Sequence, residues 1–371
     1  MRSALKIVPI LAAITALFNS CKNDLHILAP YKESVSVYGI LNPQDTIQMI
    51  RINKIFLGEG NAYTMAQVND SVNYKPGVLT VTLEREVNGV KVQTTKGSTK
   101  TQIVLRDTVI QLASTTNAIF NSNQRLYITS DRLYNSGTYK LNIKNNNTGN
   151  VFTAQTVMVD TIRQGLYQPF ASPFFPVPYS PTNIQSYFID YSTSITKSHT
   201  LRFLSVKDAK EYTCTMRFYY ADSLVSNPFL QPHYVDYTIP SVKSTGLAGN
   251  EAITITFFPD AFLATVEGGI NKIGTPSNFA GRHATHIDFI VTSGAQEFVD
   301  FLEVSAPSTS VSQDKPAYTN INGGFGIFSS KSVRVFPKAI WNSFLDYMSQ
   351  NKPMCSLGFF NSASNLGFTC N

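Results

Sequence analysis

GVLTVTLEREVNGVKVQT, residues 77–94, decides the fold class. Leu79, Val81 and Leu83 alternate with Thr80, Thr82 and Glu84, the period-two pattern of a half-buried β-strand. Asn88-Gly89 then supplies the two positive-φ residues of a type I′ hairpin. The same alternation spreads outward. VSVYGIL (35–41) and TIQMIRINKIF (46–56) precede it, and SGTYKLNIKNNNTGNVFTAQT (136–156) follows, with Tyr139, Leu141 and Ile143 on one face and NNNTGN as a polar reversal. Short strands at this spacing, with no long helical period among them, predict a β-sandwich over 34–160.

Residues 161–182 form a connector. Within it QPFASPFFPVPYSP (168–181) is crowded with proline and aromatic residues, which block a regular ladder. Two readings stand: a stiff linker whose rings pack on a neighbour, or a contact surface anchored by Phe174, Phe175 and Tyr179. Residues 183–371 read as a second β-rich domain with a few short helices. EYTCTMRFYYA and EAITITFF alternate, the latter through Ile253, Ile255 and Phe257. HIDFIVTSGAQEFVDFLEV reads as a strand entering a helix, with Ser293 and Gln296 spaced for a capping box and Phe298 one turn before Leu302. A last helix is expected from about Pro337, carrying the stripe Trp341, Phe344, Leu345 and Met348.

Composition agrees with a mostly β protein, because 25 Phe and 18 Tyr stand against only 15% charged residues. Of 30 basic residues, Arg2 and Lys6 lie in the first few positions, leaving 28 against 24 acidic. So small an excess, without a dense Lys/Arg run, argues against nucleic acid as a partner.

Residues 1–20 have the parts of an export signal: Arg2 and Lys6, the apolar run IVPILAAITALF, then small or polar residues. The run is too short for a permanent membrane helix. In ALFNSCKND (16–24), Cys21 follows directly and the chain turns charged at Lys22 and Asp24. This arrangement resembles the lipobox of bacterial lipoproteins, with Phe18 in place of the usual Leu. It makes Cys21 the expected lipidation site and 21–33 the tether. Two or three acyl chains hold a protein stably, at about 0.8 kcal/mol per buried CH₂. In an oxidising compartment Cys355 and Cys370 are expected to form a disulfide across a short loop, leaving Cys214 as a small buried apolar residue.

Few residues suggest chemistry. His283 and His286 form HATH in a strand-like stretch, where residues three apart face opposite sides unless a bulge intervenes. His26, His199 and His233 are isolated. There is no G-x-S-x-G elbow, and NGGFGIF (322–328) lacks the lysine and spacing of a phosphate loop, so its glycines point to a turn or bulge. Five Asp-Thr/Ser pairs read as turn residues entering strands. The expectation is a noncatalytic protein with no metal and no cofactor.

VSVYGILNPQDTIQMIRINKIF (35–56) and YTNINGGFGIFSSKSV (318–333) together resemble a family of uncharacterised outer-membrane lipoproteins of Bacteroidota. The matching features are Gly39 in the first strand, the signature carried by Asn320, Ile321, Gly324, Gly326 and Phe328, and the SGAQEFVDFL element. The resemblance implies an immunoglobulin-like or transthyretin-like sandwich, outer-membrane attachment, and gene company with TonB-dependent receptors, but no known active site. It also makes Thr46, Ser71, Thr108, Thr161 and Ser223 candidate O-glycosylation acceptors. The expected function is therefore that of a lipid-anchored accessory protein, at the cell surface in preference to the periplasmic face, which binds a ligand or a partner beside a TonB-dependent β-barrel. The alternatives are a secreted hydrolase with dispersed acidic residues and a surface adhesin or structural envelope module.

Overall fold

The computed structural model describes residues 33–55, 62–111, 123–163, 198–225, 227–306, 318–339, 342–360 and 370. Cys21, Phe174, Phe175, Tyr179, His26 and Trp341 lie outside that set. The protein is mostly β, as the alternation requires.

In chain order the first lobe holds β1 (Val35–Leu41), β2 (Gln48–Lys54), the short helices α1 (Ala62–Gln67) and α2 (Asn69–Val72), β3 (Leu79–Val87), β4 (Val90–Val92), β5 (Gln102–Val104), β6 (Arg106–Gln111), β7 (Asn123–Thr129), β8 (Thr138–Asn145) and β9 (Val151–Val157). The second holds β10 (His199–Leu204), β11 (Glu211–Leu224), β12 (Asn227–Lys243), β13 (Ala252–Phe257), α3 (Pro259–Ile273), β14 (Phe279–Gly294) and α4 (Gln296–Ser305). The described chain then runs through β15 (Ile321–Asn322), β16 (Gly324–Ala339), α5 (Asn342–Gln350) and a 3₁₀ turn at Cys355–Leu357.

β16 joins the lobes. Its first half, Gly324–Ser330, pairs parallel with β1, and its second half pairs antiparallel with β14. One sheet therefore runs β12-β11-β14-β16-β1-β2-β7-β6 through both lobes. In the first lobe a second sheet, β15-β9-β8-β3-β4 with β5 beside β3, packs against it to make a sandwich. Val37, Ile50, Ile52 and Phe328 meet Val81, Leu83, Leu141 and Ile143 in the shared core. Residues 321–328 thus complete the sandwich of 34–160 from the far end of the chain, so the lobes are not two consecutive segments parted at 161–182.

The NGGFGIF glycines make this junction possible. Gly323 and Gly326 have φ of +80° and +101°, and a side-chain carbon at Gly326 would lie 2.0 Å from the Val37 carbonyl oxygen. Asn320 acts as a surrogate strand rung: Phe328 N–H donates to Asn320 Oδ1 at 2.9 Å, and Asn320 Nδ2 donates to Phe328 O at 2.6 Å. The signature is a folding device.

In the second lobe the inward residues of β11, Tyr212, Cys214, Met216, Phe218 and Tyr220, pack with the β10–β13 pair, α3 and α5. The helix α3 has proline at its N-terminus and buries Phe262, Leu263, Val266 and Ile270. Gly269 lets it approach Val235 on β12, since an added side-chain carbon would meet Val235 Cγ1 at 2.7 Å.

Two expected features are corrected. The N-cap of α4 is Ala295, without a side-chain bond. Ser293 lies within β14 with its hydroxyl buried, and Gln296 donates to Asp300 at 2.6 Å. Val299 is the buried residue of α4, while Leu302 is exposed. Finally, Pro337 belongs to β16 and α5 begins at Asn342. The β14 ladder skips from Phe289↔Phe336 to Ile287↔Ala339, and Pro337 sits in that bulge, where no rung needs its missing N–H. Met348 is buried and Leu345 packs at the core's margin, as the stripe requires.

Candidate functional site

The HATH histidines lead to the site through a bulge. On β14, His286 pairs with Tyr219 and Ala284 with Tyr220, so Thr285 has no partner on β11. One extra residue reverses the alternation. His283 and His286 consequently emerge on the same outward face, opposite Ala221 and Tyr219. They go to different neighbours: His286 stacks on Tyr219 with ring centroids 4.4 Å apart, while His283 meets Phe360 at 3.9 Å. Burial lowers the His283 pKa. Among the described residues no three His, Cys, Asp or Glu side chains gather as a metal site would require.

Around His286 the outward residues form a grid. Thr215, Arg217 and Tyr219 of β11 lie directly opposite Thr238, Asp236 and Tyr234 of β12. Arg217 donates from Nε and Nη2 to the two Asp236 oxygens at 2.7 and 2.8 Å, and its guanidinium carbon lies 4.3 Å from the Tyr234 ring centre. The Asp236 bond is the largest cause of a raised Arg217 pKa. Tyr219 and Tyr234 have centroids 6.0 Å apart, and Tyr234 is 53% exposed. His286 Nε2 is 3.6 Å from Asp288 Oδ1, and Thr285 Oγ1 donates to the Tyr219 carbonyl at 2.6 Å. Three outward rings are thus bordered by ionic groups paired with one another.

The inward face of the same strands carries a polar knot. Arg282 is buried and donates to Asp222 Oδ1 at 2.9 Å, to the Leu357 carbonyl at 2.8 Å and to the Gly274 carbonyl at 3.2 Å. His233 stacks on Tyr220, and its Nε2 lies 3.8 Å from Asp222 Oδ2. Burial, reinforced by Asp222 and opposed by Arg282, raises the Tyr220 phenol pKa. This knot ties the end of α3 and the 3₁₀ turn to β11 and β14. Towards the other end of β11, Cys214 is fully buried and its thiol is pushed up to about 12, which leaves it unreactive.

The other residues singled out by sequence are dispersed. Cys355 and Cys370 are joined, with Cα atoms 5.5 Å apart. Thr46 is exposed in a bend, Ser71 lies in α2, and Thr108 lies on β6. The Thr161 hydroxyl accepts a bond from Gln44 Nε2, and Ser223 sits inside β11 opposite Gly281. The turn reading of the Asp-Thr/Ser pairs fails at Asp70, which lies in α2, and at Asp107 and Asp222, which lie within β6 and β11, where the Asp222 carboxylate balances Arg282.

Sequence reading missed Arg217, Tyr234 and Asp236 as a group. The available signal was the alternation of Tyr234, Asp236 and Thr238 in β12. Pro228, Pro232 and Pro240 obscured it, being tolerated because β12 is an edge strand. On the first lobe a concavity of about 450 Å³ is lined by polar groups including Asn142, Thr153, Gln155 and Asn322, without an aromatic ring. On α4, burial raises the Glu297 carboxyl, with Asp300 and Asp208 adding to the shift and a Thr156 bond opposing it.

No family model matches the chain, and no curated protein matches it. Among solved structures, it is similar to the C-terminal globular domain of an oligosaccharyltransferase from Pyrococcus abyssi at 10% identity and TM-score 0.21, covering 72% of this chain and 50% of that one. It is also similar to the secreted serine protease VesC from Vibrio cholerae at 6% identity and TM-score 0.18, covering 66% and 49%. A cytokine receptor complex is matched at 7% identity and TM-score 0.18, covering 83% and 100%. The chain spans about half the length of the first two. At these TM-scores the similarities carry no argument.

Proposed function

We propose that this protein is a noncatalytic lipoprotein, anchored to the outer membrane through Cys21 and facing the cell surface, that binds a ligand or partner as an accessory of a TonB-dependent β-barrel receptor. The observation that carries the binding part is the outward surface of Tyr219, Tyr234 and His286. Aromatic side chains offer large contact area at small entropic cost, and here they stand on a sheet that is already ordered. Arg217 is paired with Asp236 and His286 with Asp288, an arrangement suited to recognition. Support for the anchor comes from the leader and cysteine at 1–21 and from the resemblance described above. Among the described residues no helix is long and apolar enough to cross a membrane.

The test is co-purification of the tagged chain from solubilised native outer membranes, with mass spectrometry of the mature N-terminus. The expected result is an acylated peptide beginning at Cys21 together with a β-barrel receptor. An exported chain that is freely dissolved with unmodified Cys21, or repeated recovery of the protein alone, overturns the reading.

One observation favours the hydrolase alternative: the raised Glu297 carboxyl has Asp300 one turn away on the same helix. Turnover of a glycoside substrate that disappears in Glu297→Gln would support it, and absence of turnover in the wild-type protein would remove it.

A further inference from the structure

We infer that the outward grid of β11, β12 and β14 is a platform for a neutral sugar ring, a pyranose unit of an oligosaccharide. The inference rests on the binding part of the function proposed above and is independent of the lipid anchor.

A pyranose has an apolar C–H face and a rim of hydroxyls that both donate and accept. Tyr234 matches the face. One side of its ring carries the Arg217 guanidinium, yet half of the residue remains in water. Tyr219 lies tilted beside it at 52° and is itself stacked on His286, so Tyr234 is the exposed ring and Tyr219 its flank.

The border matches the rim. Asp236 receives two N–H donors from Arg217, while a carboxylate has about four lone-pair sites, so acceptor capacity remains for hydroxyl protons. Arg217 spends two of its roughly five N–H donors in that pair, so donor capacity also remains. Thr215 and Thr238, whose hydroxyl oxygens are 3.2 Å apart, extend the border along the strands.

Charge selects among ligands. Arg217 and Asp236 lie opposite each other, as do Arg217 and Asp288 across the other strand pair. A phosphate or carboxylate attracted by Arg217 would also meet these two carboxylates, and an ammonium attracted by them would meet Arg217. A neutral polyol can use both signs at once. The pairings also hold the polar groups in place, since each lies on a ladder position of a continuous sheet.

The test uses the full-length chain purified in a detergent without a sugar headgroup. Cellotetraose, maltotetraose, xylotetraose and chitotetraose are added separately and followed by saturation-transfer NMR and titration calorimetry. Binding of one of these sugars is expected, with transfer concentrated on one C–H face. Tyr234→Ala should weaken it about tenfold or more, while Tyr234→Phe, which keeps the ring, should change it less than about threefold. Circular dichroism of both variants checks the fold. Absence of transfer from all these sugars at millimolar concentration, or unchanged affinity in Tyr234→Ala, overturns the assignment. If no sugar binds but Tyr234→Ala abolishes recovery of a barrel receptor from membranes, the platform is a protein contact and the accessory reading survives. If a sugar binds and no receptor is recovered, the sugar assignment stands and the accessory reading falls.

Discussion

Arg282 Nε donates to Asp222 Oδ1 across 2.9 Å, with both side chains only 1% exposed. Removing one partner would strand the other charge in a low-dielectric site. Asp222→Asn or Arg282→Met is therefore expected to cost about 3–5 kcal/mol, measured by urea unfolding. The double variant Asp222→Leu/Arg282→Met should recover part of that loss. A single variant that unfolds at the wild-type midpoint would show that the ion pair is not holding the knot.

Glu297 gives a pH-dependent prediction. Burial, with Asp300 and Asp208, raises its folded pKa above the unfolded value. Its favourable contribution is complete below the unfolded pKa and is lost as pH rises through the folded one. Glu297→Gln should accordingly melt higher than wild type at neutral pH, the two curves converging in acid. A melting difference independent of pH would refute the assignment.

Glu33 has the opposite sign. Burial would raise its pKa, but bonds from Thr148, Asn150, Asn145 and Tyr74 together lower it. The stabilisation is present above the unfolded pKa and disappears as pH falls through the folded value. Glu33→Gln should lose stability at neutral pH by less than about 1 kcal/mol, since the group is partly solvated. Thermal melts should show the deficit closing in acid.

At Gly326, φ of +101° and the adjacent Val37 carbonyl leave no room for a side chain. Gly326→Ala should cost more than about 3 kcal/mol, because backbone strain and a main-chain clash add. Chemical denaturation would read this. A near-wild-type midpoint would mean that β16 approaches β1 less closely.

The Cys355–Cys370 link closes a separation of 15 residues. Its removal in Cys355→Ser/Cys370→Ser should cost about 3 kcal/mol in the loop-entropy account. Because Leu357 supplies a carbonyl to Arg282, protease cleavage near residues 355–360 is expected to rise. Unchanged cleavage would separate the bridge from the knot.

Local alternation made much of the fold legible. Leu79, Val81 and Leu83 are buried together, as are Tyr139, Leu141 and Ile143. Asn88 and Gly89 have the positive φ values that their turn requires. Features set by distant partners were not legible. The parallel contact of Val35–Leu41 with Gly324–Ser330 joins segments almost the whole described chain apart, and no local pattern announces it. The helix at Pro259–Ile273 was missed: Pro259, Asp260 and an apolar stripe mark it, but Gly268-Gly269 weakens that signal. The site required register as well as pattern. Its rings meet because Tyr219 falls in register with both Tyr234 and His286, and nothing in the three separate segments announces that register.

The strand common to both lobes also orders the events of assembly. Whatever forms early, neither the sandwich nor its neighbour can gain its last rungs until the segment after Tyr318 has arrived, and closing one sheet positions the edge of the other. A polypeptide released short of that point would expose two open borders, each able to recruit a foreign strand.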